Sequence, residues 1–324
     1  LTKPWTYRGS NDPKDIFARI SIGVPGTEMP SFADEKSKKK LSIEERWHVS
    51  NYVASLAKKV EVIDPNNTVV KADKIEGELP ATPDDQNWAK AVPTTFMLVP
   101  QIIGKERYFL PSNDTITVRA LYNSKEIAML LEWDDRTKSI PGDDAATKLA
   151  DSPIEEDGVA VQLPVVIPSE MQKPYFGMGD TANPVNVWHW KSGTTSNPET
   201  TNLLSSKGFK EIEKRDAKSV GLKMKSVYVD GTWKVLMTRP LATGDAAKDI
   251  QFVEGKFTPI AFANWDGSNN SEKGSKHTMT TWYWILLKPA TGSKPLVTGL
   301  IVAGLFLAGL LWWARSASNA KAAK

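Results

Sequence analysis

The residues best able to do chemistry lie in Tyr175-Phe176-Gly177-Met178-Gly179-Asp180 and, a few positions on, Val185-Asn186-Val187-Trp188-His189-Trp190-Lys191. Met178 sits between two glycines, which let a backbone approach a neighbour closely and take up turn conformations. The following run alternates bulky and polar residues, as a half-buried strand does. A thioether on a tight turn beside an aromatic strand suits a soft ligand held against a flat cofactor. It equally suits a core methionine, since methionine commonly fills gaps in apolar interiors. The residues alone leave both readings open.

The rest of the composition narrows the chemistry. The chain has 324 residues, with 41 basic against 38 acidic side chains and a net charge of +3. That balance, with no basic run interleaved with aromatics, gives no footprint for nucleic acid. There is no cysteine, which excludes disulfides, Fe–S clusters, thiolate zinc sites and covalent haem attachment within this sequence. Three histidines, His48, His189 and His277, leave little material for a histidine-rich metal site. The chain opens on Leu1, so a processed or incomplete N-terminus is expected.

The elements that must position these residues read in three parts. Residues 1–60 form a helical unit. Ile16, Phe17 and Ile20 share one face, a Pro/Gly loop carries Met29, and Ser42 with Glu45 forms a capping box opening a helix that bears Ile43, Trp47, Val49, Tyr52, Val53 and Leu56. Residues 61–79 read as a linker. Residues 80–290 break into short β-branched and aromatic runs separated by Gly, Asn, Asp and Pro. Candidate strands are 96–101, 115–122, 127–133, 159–166, 185–190, 227–230, 233–239, 258–265 and 278–287. Their spacing predicts a mainly β fold, an antiparallel β-sandwich. Two polar insertions fall at 142–156 and 199–218, the second expected to be helical. No internal repeat is found.

Residues 291–324 close the chain. Leu296 to Ala314 is an uncharged apolar run of roughly 19 residues, the length of a single transmembrane helix. Trp312, Trp313 and Arg315 follow the aromatic-belt and positive-inside patterns. A basic cytoplasmic tail is expected, with the main domains on the extracytoplasmic, periplasmic side.

Two resemblances add to this reading. The helix, the Gly26-Thr27-Glu28-Met29-Pro30 loop and the final aromatic helix resemble the C-terminal half of a class I cytochrome c domain. The resemblance implies Met29 as distal ligand of haem c iron, with a Cys-x-x-Cys-His half upstream of Leu1.

The second resemblance rests on an ordered series. It runs from Asp157–Pro164 through Phe176–Asp180, Val185–Lys191, Trp233–Val235 and Arg239 to Ile260–Asn269, Glu272–Lys276 and Trp282. This resembles the haem-b-binding domain of the ethylbenzene dehydrogenase gamma-subunit family. It implies haem b held between Met178 and Lys276, with Lys273 and His277 as rivals for the second ligand and Met97 and Met171 for the first. Trp188 and Trp190 are expected as pocket walls or as core, and Arg239 as a propionate partner or a surface ion pair.

The resemblance further implies an electron-transfer subunit without catalysis of its own. Its partners would be a molybdenum catalytic subunit and an Fe–S subunit, with a cytochrome c or membrane oxidase as electron partner. Nitrite oxidoreductase is the family complex expected first. The alternative is a membrane-tethered β-sandwich binding module for carbohydrate or another ligand, with surface tryptophans stacking on sugar.

Overall fold

The computed structural model describes the chain except residues 5–6, 8–9, 25–28, 58–63, 65, 105–106, 110, 145–146, 148–152, 170–171, 270–275, 291–293 and 323–324, and the side chains of 294–297 and 316–322. Contacts divide it into two units, Leu1–Asp64 and Pro65–Lys324.

In the first unit, helices α1 (Pro13–Ile22) and α2 (Ile43–Ser55) pack through Ile16, Ile20 and Val53, with Met29 and Phe32 against them. The Ser42–Glu45 capping box forms in both directions, at 3.1 and 2.7 Å. Phe17 stacks on Trp47 at 4.4 Å. Half of the apolar face expected on α2 is open, with Ile43, Val49 and Tyr52 exposed and Trp47, Val53 and Leu56 buried or half-buried. Gly26, Thr27 and Glu28 of the methionine loop lie outside the described residues.

Among the described residues the second unit is a sandwich of fourteen strands, eleven in one continuous hydrogen-bonded path and the short strands Thr94–Met97, Val99–Pro100 and Thr278–Met279 paired beside it. The strands are β1 (Val69–Lys74), β2 (Thr94–Met97), β3 (Val99–Pro100), β4 (Thr115–Tyr122), β5 (Glu126–Asp134), β6 (Gly158–Pro164), β7 (Val185–Gly193), β8 (Pro198–Ser206), β9 (Ile212–Arg215), β10 (Lys223–Val229), β11 (Thr232–Pro240), β12 (Phe257–Trp265), β13 (Thr278–Met279) and β14 (Tyr283–Leu287). The order β10-β11-β5-β4 makes one layer and β12-β6-β7-β8-β9 the other, joined through β1 and β14.

Alternation along each strand sends one set of side chains between the layers. Ile116, Val118, Met129, Leu131 and Val235 from one side meet Val159, Val161, Trp188, Trp190 and Phe262 from the other. Trp190 and Trp233 meet edge to face at 4.9 Å, and each indole N–H is satisfied, on Glu199 and Asp157. Buried aromatic area of this kind supplies much of the cohesion of a sandwich core.

Two stretches differ from the sequence-based expectation. The segment read as linker contains β1, which pairs in parallel with β14 and β4, so the sheet is mixed. The insertion 199–218, expected as a helix, forms β8 and β9 and one short 3-10 turn at Ala217–Val220. Thr200, Thr201, Leu203 and Leu204 pair along β7, and that pairing outweighs local helix propensity.

Helix α3 (Lys294–Ala322) follows the sandwich. Its window Thr298–Arg315 has a mean hydropathy of 1.5 and no residue buried by the rest of the chain. Its length and composition are those of a membrane span.

Candidate cofactor site

The same alternation that buries Trp188 and Trp190 turns Val185, Val187 and His189 to the outer face of the sheet. Neighbouring strands place Ala160 and Gln162 of β6, and Ala261, Ala263 and Trp265 of β12, on that face. Register sets Ala263 opposite Ala160, and Ala160 opposite His189. Three alanines, with Val185 and Val187, make a floor of small apolar side chains.

One end of the floor is covered by the Tyr175–Asp180 loop. Gln162 donates its amide N–H to the Phe176 carbonyl at 3.1 Å, and Gly208 N–H donates to the Met178 carbonyl at 2.9 Å. Trp282 anchors the loop's approach through its indole N–H on the Pro174 carbonyl, 2.8 Å. The Asp180 carboxylate accepts N–H groups of Asn183, Tyr175 and Ala182, the Asn183 backbone bond foremost in holding its pKa below the usual range.

Met178 itself takes φ 65°. Left-handed backbone costs a non-glycine residue about 1–2 kcal/mol. The other described non-glycine with positive φ is Asp230, in the Asp230-Gly231 hairpin turn where that conformation is ordinary. Gly179 has φ 75°, and a Cβ there would lie 2.8 Å from the Asn183 carbonyl oxygen, so the loop requires glycine. Half-buried Met178 packs onto the patch of Ala160, Val185, Val187, Ala261 and Trp282. Strain held at one residue by a closely packed loop is a mark of functional positioning.

The opposite end is closed by aromatic rings. Trp265 lies 4.9 Å from the His189 ring and 5.2 Å from the His277 ring. The His277 carbonyl accepts Gln101 N–H at 2.9 Å, and β13 continues from there alongside β12. Lys276, half-buried, immediately precedes His277. From Ala261, beneath the methionine loop, to Trp265 is about 13 Å along the strand at 3.3 Å per residue.

His189 is pushed down to about 4, by burial first and then by the Lys191 and Lys214 charges, so its imidazole is neutral at pH 7. Lys173 extends over the Trp284 ring at 4.5 Å, and burial lowers its pKa.

The structure therefore brings Met178 to one end of an apolar face and the His277 ring, next in sequence to Lys276, beside Trp265 at the other. It does not bring Trp188 and Trp190 there. Both are fully buried on the other side of the sheet, where strand alternation directs them. Arg239 is neither a surface ion pair nor at this face. Its buried guanidinium donates to the Ile250, Pro240 and Leu241 carbonyls and lies over the rings of Trp188 and Phe252.

Met97 is half exposed on β2, and Lys273 and Met171 lie outside the described residues. Among the described residues no sandwich tryptophan is fully exposed; Trp265 and Trp284 are half-buried and the others buried. The sequence reading missed His189 as a residue of this face, together with Trp265 and the alanine floor. The signal was present, because a strand that turns Trp188 and Trp190 inward must turn His189 outward.

The sandwich thus carries one apolar outer patch with the methionine loop at one end and the Trp265 and His277 rings at the other. The model of the ethylbenzene dehydrogenase family matches residues 85–220 and 200–277, a span that includes Met178, Trp265 and Lys276, and the chain belongs to that family. It is 30% identical over 220 residues to chlorate reductase subunit gamma of Ideonella dechloratans, covering 66% of this chain and 83% of that one. It is 25% identical over 255 residues to dimethylsulfide dehydrogenase subunit gamma of Rhodovulum sulfidophilum, covering 73% and 87%.

A Haloferax mediterranei protein provisionally named respiratory nitrate reductase heme subunit ORF7 is 27% identical over 249 residues, covering 76% and 83%. Among solved structures, a family 9 carbohydrate-binding module from Caldicellulosiruptor kristjanssonii superposes with a TM-score of 0.39 at 10% identity, covering 69% of this chain and 96% of that one. That likeness is too distant to carry a functional argument.

Proposed function

We propose that the sandwich binds haem b non-covalently on the alanine floor, with Met178 and Lys276 as axial ligands. The chain would then act as a non-catalytic electron-transfer subunit of a membrane-bound molybdenum oxidoreductase. The observation that carries the reading is the strained Met178 at one end of an apolar face whose other end leads to Lys276. Relatives named as gamma subunits of chlorate reductase and dimethylsulfide dehydrogenase, and as a heme subunit, support the same class.

The residues present suit the group. The small alanine side chains would allow a flat macrocycle to approach the sheet, and Trp265, Val187 and Trp282 would shield it from water. Met178 offers a soft, uncharged donor, and the Gly179 turn fixes where it points. Lys276 must give up its proton to ligate, so binding on that side depends on pH. Haem bound here would supply a one-electron iron couple whose potential is set first by the axial pair.

The finer parts of the proposal follow from the sequence. Helix α3 anchors the chain, with its basic tail cytoplasmic and both domains periplasmic. Residues 1–60 are the C-terminal part of a cytochrome c domain, with Met29 on haem c iron. Residues 61–79 link it to the haem b domain at 80–290, and 291–324 form the anchor and tail. An Fe–S subunit and a molybdenum subunit, as in nitrite oxidoreductase, lie on one side of the electron path, and a cytochrome c or membrane oxidase on the other. A pyridine haemochrome spectrum of the purified chain tests the core of this reading: a b-type spectrum supports it, and a chain without b-type haem refutes it.

A further inference from the structure

At the Trp265 end of the sandwich, three carboxylates from distant parts of the chain converge inside the protein. Asp135 follows β5, Asp157 precedes β6 and Asp266 follows β12, and one oxygen from each lies within 4.8 Å of the others. Asp135 is 5% exposed, Asp157 0% and Asp266 8%.

The three are not equally satisfied. Asp157 accepts the N–H groups of Ser139 at 2.7 Å and Gly267 at 2.8 Å and the Trp233 indole N–H at 2.9 Å. Asp266 accepts Ser268 N–H at 2.8 Å and the Ser112 hydroxyl. Asp135 Oδ1 accepts the Thr137 N–H and hydroxyl, at 3.0 and 3.2 Å. Its other oxygen, Oδ2, is buried and receives no hydrogen bond. Among the described residues no lysine or arginine forms an ion pair with Asp135 or Asp157.

A buried acceptor without a donor loses its hydration for nothing in return, and adjacent carboxylates in a low-dielectric interior repel. Burial first, then the neighbouring charges, raises the Asp135 carboxyl well above the usual range; burial pushes Asp157 up to about 7. Protons or a bound cation would balance the charge of Asp135 and Asp157. The donors are all hard oxygens, the set a calcium-class ion takes. Calcium–oxygen bonds of 2.3–2.6 Å separate ligands on opposite sides of the ion by about 4.6–5.2 Å, which accommodates this spread, whereas magnesium at 2.0–2.1 Å demands a tighter cage.

We propose that Asp135, Asp157 and Asp266 form a calcium site, with the unpartnered Asp135 oxygen as one ligand. Such an ion ties the end of β5 in one layer to β6 and β12 in the other, one residue beyond Trp265. It stands independently of the haem reading.

The test uses the chain purified in detergent, stripped with EGTA and melted with and without added calcium chloride. The proposal expects about one calcium per chain by calorimetric titration. It also expects a rise in Tm of about 5–10 °C at calcium a hundredfold above its Kd. Asp135→Asn abolishes the rise yet melts no lower than the unsubstituted chain in EGTA, because it loses a like charge. Asp266→Asn is the second variant, read in the same way, should the first fail to fold. An equal rise with magnesium chloride overturns the calcium assignment. If calcium leaves the Tm unchanged and both variants melt higher in every condition, the cluster is balanced by protons and the site does not exist.

Discussion

Replacing Met178 by glycine separates ligation from packing, because the two roles respond with different magnitudes. Full burial makes truncation of a methionine to alanine cost about 2–5 kcal/mol. Met178 is half-buried against Ala160, Val187 and Trp282, so roughly half of that applies. Glycine returns about 1–2 kcal/mol by relaxing the left-handed backbone and costs about 0.5–1 kcal/mol through its freer unfolded state. The net loss is about 1 kcal/mol, or ~2–4 °C in the Tm of a domain this size.

A ligand loss is much larger in its effect on haem. Met178→Gly is therefore expected to fold with a near-normal melting curve when haem-free, yet to lose haem b or bind it with an altered spectrum and potential. Thermal melts followed by circular dichroism and a redox titration of the reconstituted protein measure both. A variant that keeps full haem occupancy, the same spectrum and the same potential would refute the assignment.

Other substitutions probe the supports of the face. Gly179→Ala forces a Cβ to 2.8 Å from the Asn183 carbonyl at φ 75° and is expected to cost roughly 2 kcal/mol, read as a lower urea midpoint at unchanged slope. His189 has a folded pKa of about 4 against an unfolded value of 6.5. The unfolded chain thus takes up its proton first, and stability is lost as pH falls from about 6.5 to 4. That loss is at most about 3–4 kcal/mol, and His189→Gln should remove it, so that the variant gains stability relative to the parent as pH falls through this window; a difference that stays constant there would refute the assignment. Deleting residues 294–324 should release the chain, expressed alone, from the membrane fraction without detergent; continued sedimentation with membranes would contradict the anchor.

Much of the sandwich was legible because strand alternation is a strong signal where one face is buried and the other is not. The stretches at 115–122, 127–133 and 233–239 carry it plainly. β1 was hidden by its lysine-rich surroundings and pairs only with strands far away in sequence. β8 and β9 were hidden by polar outward residues at the sheet edge, where partners rather than propensity decide.

Within the candidate site, a tight turn at Met178 was legible from its flanking glycines. Its left-handed backbone was not, since glycine neighbours do not state which residue carries the strain. Trp188 and Trp190 drew attention by their size, and size is what the core required. The carboxylate cluster was invisible, because Asp135, Asp157 and Asp266 meet only where β5 and β12 end and β6 begins.

The central claim is that one haem b is held between Met178 and Lys276. The most direct measurement is the haem content and haemochrome spectrum of the purified chain beside Met178→Ala, Lys276→Ala, Lys273→Ala and His277→Ala. The account predicts about one b-type haem per chain in the parent, with loss or a changed spectrum in Met178→Ala and Lys276→Ala alone. A parent without b-type haem, or a Lys276→Ala variant that matches the parent while His277→Ala or Lys273→Ala does not, would contradict it.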